Sequence, residues 1–137
     1  MLKIKVLLFL NFFFFGFMPS NQVLASSLDE VICSAMQGVV EKELEKIPYK
    51  IDSSYLLANL SVDCKKKTLI TEKKHIEMKK VDFDDNFQKA SQKKWESLNC
   101  SNMIFNTETG WATVQIVKDF DGILVSKVIA SYQECSK

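Results

Sequence analysis

Four cysteines are the residues of this chain whose type and spacing bear most directly on chemistry. They are Cys33, Cys64, Cys100 and Cys135, separated by 31, 36 and 35 residues. A zinc site needs close pairs such as C-x2-C, and the chain has none. In an oxidising compartment an even number of widely spaced cysteines predicts two disulfides, for which three connectivities exist.

His75 is the single histidine, and in its lysine-rich surroundings we predict an exposed strand residue. A catalytic histidine needs a nucleophile and an orienting carboxylate. Oxidised cysteines would leave no thiolate, and no nucleophile-elbow sequence occurs. We therefore predict no catalytic residue and a protein that is not an enzyme.

Two acidic stretches, 82–85 and 119–122, resemble fragments of a calcium-binding loop. A complete loop needs oxygen ligands at fixed alternate positions and a terminal glutamate, which neither stretch has. A helix N-terminus and a hairpin turn explain them better. We predict no metal site and no cofactor.

Aromatic side chains are the remaining candidates for recognition, because they are enriched at the centres of interfaces. Three phenylalanines are expected in the core: Phe83, Phe87 and Phe120. The candidate protein-binding residues are Trp95, Trp111 and Tyr132. Trp111 directly follows Gly110 and is expected to be the most exposed of them.

The first 25 residues determine the compartment in which these groups work. A basic start precedes an apolar run over 6–18, which contains Asn11, and polar residues follow. This is the pattern of a secretory signal, and the run is shorter than the roughly 20 residues of a membrane-spanning helix. Small residues place cleavage between Ala25 and Ser26, with an uncleaved signal anchor as the alternative. The domain is predicted to be periplasmic or secreted.

The remaining 112 residues, 26–137, have the size of one domain. They carry 16 lysines and 17 acidic residues, so no electrostatic argument favours nucleic acid as a partner. The chain has no arginine, which excludes bidentate clamps on phosphate or carboxylate. Membrane contact is expected only through an uncleaved signal.

The first predicted element is a helix over 28–47. Ser27 and Glu30 form a capping box, apolar residues follow with helical spacing, and Pro48 ends the helix. Alternation then predicts a half-buried strand over 55–64, whose buried side carries Leu56, Ala58, Leu60, Val62 and Cys64.

A second strand is predicted over 68–81, at an edge of the sheet because it is rich in lysine, with a helix as the alternative. Asp82 is the expected N-cap of a second helix that ends near Cys100. The apolar stripe of this helix would contain Phe83, Phe87, Ala90 and Leu98, with Trp95 beside it.

Asp121-Gly122 predicts a tight hairpin turn between the last two strands. This turn sets Phe120 opposite Ile123 and Val114 opposite Ile129. The face of the hairpin expected to enter the core carries Val114, Ile116, Val125 and Ile129.

The predicted order is helix, two strands, helix, two strands. We interpret it as a single α+β domain in which the helices cover one face of an antiparallel sheet. In this layout the first helix can meet the end of the first strand, which favours Cys33 with Cys64. Cys100 would end the second helix and Cys135 the last strand, which favours the second pair.

The segment from Ile47 to Cys135 resembles small exported disulfide-bonded bacterial proteins, most of them uncharacterised. The resemblance is carried by KIPYKIDSSYLLANLSV and by LNCSNMIFNTETGWATVQIVKDFDGILVSKVIASYQEC. It supports export and the pairing of Cys100 with Cys135, and it implies no activity.

Three functions remain open from the sequence. The first is a non-catalytic periplasmic domain that binds another protein, of the inhibitor or immunity type. The second is an accessory subunit of a secretion or conjugation apparatus in the cell envelope. The third is a small secreted hydrolase or toxin.

Overall fold

Five β-strands form one sheet in the computed structural model, which describes residues 25–137. The helices of this part of the chain are α1 (Ala25–Leu44), α2 (Phe87–Asn99), α3 (Met103–Asn106) and α4 (Tyr132–Cys135), and a 3₁₀ turn covers Lys80–Asp82. The strands are β1 (Tyr49–Lys50), β2 (Tyr55–Asp63), β3 (Thr68–His75), β4 (Ala112–Lys118) and β5 (Leu124–Ala130). The predicted single α+β domain is confirmed. The predicted leader lies outside the described residues, apart from Ala25.

The sheet is mixed, and the prediction of a purely antiparallel sheet is wrong. The strands lie side by side in chain order, and β3 and β4 run parallel whereas the other neighbours are antiparallel. The chain returns from β3 to β4 through α2, and a crossover of this kind makes the two strands parallel. Strand β3, predicted at an edge, therefore lies at the centre.

Aromatic rings explain how a lysine-rich strand is tolerated there. The Lys73 Nζ atom lies 4.2 Å from the centroid of the Tyr55 ring, and the Lys74 Nζ atom lies 5.6 Å from that of Phe120. Each aliphatic stem can lie along apolar surface while the ammonium group stays near solvent. Lysine content therefore does not mark this strand as an edge.

Helix α1 starts and ends three residues before the predicted 28–47. Proline disfavours the helical conformation of the residue before it, so Pro48 ends the helix before Ile47. At the other end, the helix-favouring Ala25 is included, and Ser27 lies inside the helix instead of before it. The buried residues of α1, which packs against β2, are Ile32, Met36 and Val40.

A β-bulge changes the predicted alternation of β2. Leu57 and Asn59 pair with consecutive residues of β3, so Ala58 is the extra residue. Leu57 and Leu60 are consequently both buried, while Leu56 lies on the opposite face. The predicted buried side of β2 is therefore correct after the bulge, as at Leu60, and wrong before it, as at Leu56.

Helix α2 begins at Phe87, five residues after the predicted N-cap Asp82. Asp82 instead closes the 3₁₀ turn, where its Oδ2 atom accepts a hydrogen bond from the Lys79 N–H at 2.8 Å. Two members of the predicted apolar stripe, Ala90 and Leu98, are exposed. The face that α2 turns toward the sheet is therefore not the predicted one.

Two glutamines align α2 with the outer edge of β5. The Gln88 amide donates to the Lys127 carbonyl at 2.8 Å, and Gln92 both donates to the Ile129 carbonyl at 2.6 Å and accepts from its N–H at 3.1 Å. The two glutamines are four residues apart, which is about 6 Å along a helix, and their strand partners are two residues apart, which is about 6.6 Å along a strand. The spacing of the glutamines therefore matches that of the backbone groups they bind. The helix thereby covers backbone groups that another strand could otherwise pair with.

Strands β4 and β5 pair in the predicted register, with Val114 opposite Ile129, but their inner face is reversed. The buried residues on the helix side are Thr113, Val117, Ser126, Val128 and Ala130. On the opposite face Val114 is buried as predicted, at 7% exposure, whereas Ile129, expected in the core, is 38% exposed. Ser126 and Ala130 have small side chains, and α2 packs against β5.

Both predicted disulfides, Cys33–Cys64 and Cys100–Cys135, are present. The first joins α1 to the residue after β2, and the second joins the end of α2 to α4. The first also packs against the central hydrophobic cluster, which consists of Ile32, Met36, Ile104, Phe105 and Trp111.

Candidate protein-binding surface

Trp111 lies in the core, so the prediction that it is the most exposed aromatic residue is wrong. It is 1% exposed, and its Nε1 atom donates a hydrogen bond to the Asp29 Oδ1 atom at 3.1 Å. The Lys67 ammonium group lies 2.7 Å from the other oxygen of the same carboxylate. The Lys67 ammonium holds the pKa of Asp29 below its usual range; the Trp111 N–H acts in the same direction and burial opposes it.

The other two predicted binding residues do not form a patch with Trp111. Trp95 is half-buried, and its Nε1 atom donates to the Thr113 carbonyl at 3.1 Å, which turns the indole toward the sheet. Tyr132 is 38% exposed on α4. Of the predicted recognition set, Tyr132 is the most exposed, Trp95 is partly accessible and Trp111 is buried.

His75 is buried and organises a turn, which corrects the prediction of an exposed strand residue. It is 8% exposed, and its Nδ1 atom accepts hydrogen bonds from the N–H groups of Glu77 at 3.1 Å and Met78 at 2.9 Å. Its ring contacts those of Tyr55 and Phe83 edge to face. These bonds turn the chain, and β3 therefore ends here instead of at residue 81.

Asp119 organises the loop between β4 and β5, which is longer than the predicted two-residue turn. Its Oδ1 atom accepts from the Ile123 N–H at 2.7 Å, and its Oδ2 atom accepts from the Lys80 N–H at 2.8 Å. Gly122 adopts a φ of 84°, which favours glycine. The carboxylate thus fixes the loop and ties it to the 3₁₀ turn.

The loop presents large apolar side chains to solvent. Phe120 is 49% exposed, Ile123 51% and Leu124 49%. The Phe120 N–H donates to the Met78 carbonyl at 2.8 Å, so the segment that carries Val81, which is 89% exposed, lies alongside. We call this group the hairpin surface, and it consists of Val81, Phe120, Ile123 and Leu124.

Sequence reasoning missed the hairpin surface because it assigned Phe120 to the core. The pattern that could have located it is the Asp-x-x-Gly motif at 119–122. An aspartate that accepts backbone bonds at the start of a turn fixes the residues after it outside the sheet.

Charged groups around the hairpin surface are largely paired within the protein. Lys79 lies 3.4 Å from Asp121, and Lys118 lies 2.9 Å from Glu72. The ammonium group of Lys74 lies over the Phe120 ring. The surface is therefore an apolar centre with a nearly neutral rim.

Replacing Asp119 by asparagine should make the free energy of unfolding less dependent on pH in the acidic range. Burial opposes ionisation of Asp119, but hydrogen bonds from the N–H groups of Ile123 and Lys80, and from those of the turn, lower its pKa below the usual 3.8. The stabilisation that the ionised Asp119 carboxylate provides is therefore complete at pH values above its usual pKa, and it is lost as the pH falls through the lowered pKa. Urea unfolding at pH 7, 5 and 3 should show a deficit for Asp119→Asn that shrinks in acid.

Asp121→Asn is the matched control, because Asp121 lies in the same loop with its carboxylate at the surface. Its difference from the wild-type protein should be small at all three pH values. A deficit of Asp119→Asn that stays constant from pH 7 to pH 3 would contradict the assigned role.

The described part of the chain has neither a membrane-spanning helix nor a cluster of metal-ligating side chains. No helix between residues 25 and 137 is long and apolar enough to cross a bilayer. The same residues contain no group of three or more histidine, cysteine, aspartate or glutamate side chains placed to hold a metal ion.

Comparison with known proteins finds similarity at the level of the fold. No family model matches the chain, and no curated protein sequence matches it. A crystal structure of a Pseudomonas aeruginosa protein that is described as secreted is similar, with a TM-score of 0.62 and 13% sequence identity. The match covers 84% of this chain and 99% of that one, so the two share a fold over most of their length. The disulfides are consistent with export.

Proposed function

We propose that this chain is an exported, non-catalytic protein-binding domain of the inhibitor or immunity type, which contacts its partner through the hairpin surface. Two disulfides, a leader-like N-terminal sequence and a fold shared with a protein described as secreted support export. Whether the domain stays in the periplasm or leaves the cell does not affect the proposed contact.

The observation that carries the proposal is a loop that is rigid and apolar at the same time. Asp119 fixes the backbone through bonds to two separate segments, and Phe120 and Ile123 remain half-exposed beside it. Clustered exposed apolar side chains mark interaction sites. A loop already held in one conformation loses little entropy on binding, which favours affinity.

The expected partner is a protein with an apolar pocket that receives Phe120 and Ile123. The neighbouring ion pairs are satisfied within this chain, so the partner needs no strong charge opposite them. Binding should consequently change little between low and physiological salt, in contrast to an interface held by charge.

Site-specific photocrosslinking in the producing cell tests the proposal. A crosslinking side chain at position 123 should capture one protein, and the same group at the exposed position 90 on α2 should not. The captured protein is then purified and its affinity measured by calorimetry. Ile123→Asp and Phe120→Ser should each weaken binding about tenfold or more.

Leu98→Ser is the control, because Leu98 is 41% exposed on α2 and lies outside the hairpin surface. It should bind like the wild-type protein. Equal capture from positions 90 and 123, or an unchanged affinity for both hairpin variants, would count decisively against this function.

A further inference from the structure

The buried His75 ring is connected to the hairpin surface through backbone hydrogen bonds. Its Nδ1 atom accepts from the N–H groups of Glu77 at 3.1 Å and Met78 at 2.9 Å. The Met78 carbonyl accepts in turn from the Phe120 N–H at 2.8 Å. Two successive hydrogen bonds through Met78 therefore join the imidazole to a residue of the hairpin surface.

These bonds determine which nitrogen of the ring carries a proton. A backbone N–H group can only donate, so Nδ1 has a free lone pair and the proton of the neutral ring is on Nε2. Protonation of Nδ1 would replace the acceptor by a donor and leave the N–H groups of Glu77 and Met78 without a partner. A flip of the ring would not restore the bonds, because it places a carbon atom where Nδ1 was. The turn at 76–78 is therefore compatible only with neutral His75.

The surroundings of His75 do not compensate a positive charge on its ring. The residue is 8% exposed, and its ring lies edge to face against Tyr55 on β2 and Phe83 before α2. No carboxylate in residues 25–137 forms an ion pair with it. The titratable groups that the packed elements bring around the ring are Asp52 and Tyr55 from the β1–β2 hairpin, Lys73 and Lys74 from β3, Glu77 and Lys79 from the turn, and Asp82 and Asp84 on either side of Phe83.

Two other titratable groups of this region keep their charge state in the range where histidine ordinarily titrates, between pH 5 and 8. Burial raises the pKa of Tyr55 above its usual 10.0, so the hydroxyl stays neutral there. Burial opposes ionisation of Asp119, but bonds from the N–H groups of Ile123 and Lys80 hold its pKa below the usual 3.8, so the carboxylate stays ionised. A change in the hairpin between pH 7.5 and 5 would therefore report His75 rather than Tyr55 or Asp119.

We propose that His75 is a proton sensor that opens the hairpin surface in acid. Protonation of Nδ1 breaks both bonds of the turn, displaces the Met78 carbonyl that accepts from Phe120, and lets the loop leave its binding conformation. The closed conformation holds fewer protons than the open one, so its population falls as the pH falls. A partner would be held near neutral pH and released in acid. Release of a partner rests on the function proposed for the hairpin surface, whereas opening of the turn does not.

NMR of the isotope-labelled wild-type protein tests the sensor in the absence of any partner. At pH 7.5 the imidazole should carry its proton on Nε2 and none on Nδ1. Between pH 7.5 and 5 the hydrogen-exchange protection factors of the Glu77, Met78 and Phe120 amides should fall together, by about tenfold or more. The Ile104 amide is the control, because it donates to the Asn102 side chain, which does not titrate, and it should keep its protection.

His75→Asn separates the acceptor from the proton. The Oδ1 atom of asparagine occupies the same position along the side chain as Nδ1, accepts hydrogen bonds and does not titrate. Calorimetry with the captured partner should show an affinity of the wild-type protein at least about fivefold lower at pH 5 than at pH 7.5, and no difference for His75→Asn. Asp121→Asn removes a charge from the same loop and should keep the wild-type pH dependence. If His75→Asn does not fold, the NMR titration of the wild-type protein still decides.

Three results would overturn the proposal. A proton on Nδ1 at pH 7.5, or protection of Glu77 and Met78 that is unchanged at pH 5, would remove the sensor. Loss of protection at these two amides without a change at Phe120 would show that protonation does not reach the hairpin surface. An equal pH dependence of binding for the wild-type protein and His75→Asn would assign the effect to another group. Photocrosslinking at position 123 that captures no protein would refute the binding function and leave the NMR result in place, so the two proposals fail separately.

Discussion

Trp111→Ala is expected to lower the free energy of unfolding by about 3–5 kcal/mol, the loss typical of a large aromatic side chain removed from a core. Trp111 is 1% exposed within the central cluster and connects β4 to α1 through Asp29. Its removal leaves a void between the helix and the sheet and frees the carboxylate from its indole donor. Urea unfolding followed by circular dichroism measures the loss.

Trp111→Phe separates the contribution of the buried ring from that of the hydrogen bond to Asp29. It keeps most of the buried ring and removes the N–H that bonds Asp29, so it should destabilise less than the alanine variant. In a Trp95→Phe background, Trp111 is the single tryptophan, and its fluorescence emission should be that of a buried indole. Two results together would contradict the burial of Trp111. They are a fluorescence emission typical of a solvent-exposed indole and a loss of less than about 1 kcal/mol in the free energy of unfolding for Trp111→Ala.

Gly110 explains why the sequence placed Trp111 on the surface. Trp111 was expected at the surface because it directly follows Gly110, but Gly110 adopts a φ of 79°, and a Cβ there would lie 3.4 Å from the Lys67 side chain. A Cβ at that distance would make only ordinary contact, so it is the positive φ that favours glycine here. The ion pair of Lys67 with Asp29 joins segments far apart in the chain, and no local pattern reports it.

Sequence patterns correctly predicted those features of the fold that depend on neighbouring residues. The two long helices exist near their predicted positions, whereas the short α3 and α4 were not predicted. The hairpin register is correct because the turn and the alternation fix it together. The disulfide pairing was also accessible, because it needs only α1 to cross the end of β2 and the end of α2 to lie near the residues that follow β5.

Predictions that depended on distant packing were wrong. Lysines placed β3 at an edge, but rings from Tyr55 and Phe120 accommodate them at the centre. Branched residues assigned the inner face of the hairpin, but α2 packs against the other face of β5, which carries Ser126, Val128 and Ala130. The hairpin surface was missed for the same reason, since Phe120 was expected on that inner face.

Removing both disulfides should have an effect at least as large as that of any single substitution in the core. Each bond closes a loop, with sequence separations of 31 and 35 residues. The chain-entropy account gives about 4 kcal/mol for each, so losing both would take most of the 5–15 kcal/mol typical of a domain. The four-alanine variant should be largely unfolded at 37 °C.

The paired variants Cys33→Ala with Cys64→Ala, and Cys100→Ala with Cys135→Ala, should each remain folded and unfold at a lower urea concentration. Because the loops are nearly equal, the entropic losses should be similar, and the first pair should lose slightly more because it packs against the central cluster. Reduced wild-type protein should behave like the four-alanine variant. An unchanged unfolding midpoint after full reduction would show that packing alone maintains the fold, and the crosslinks would then need another explanation.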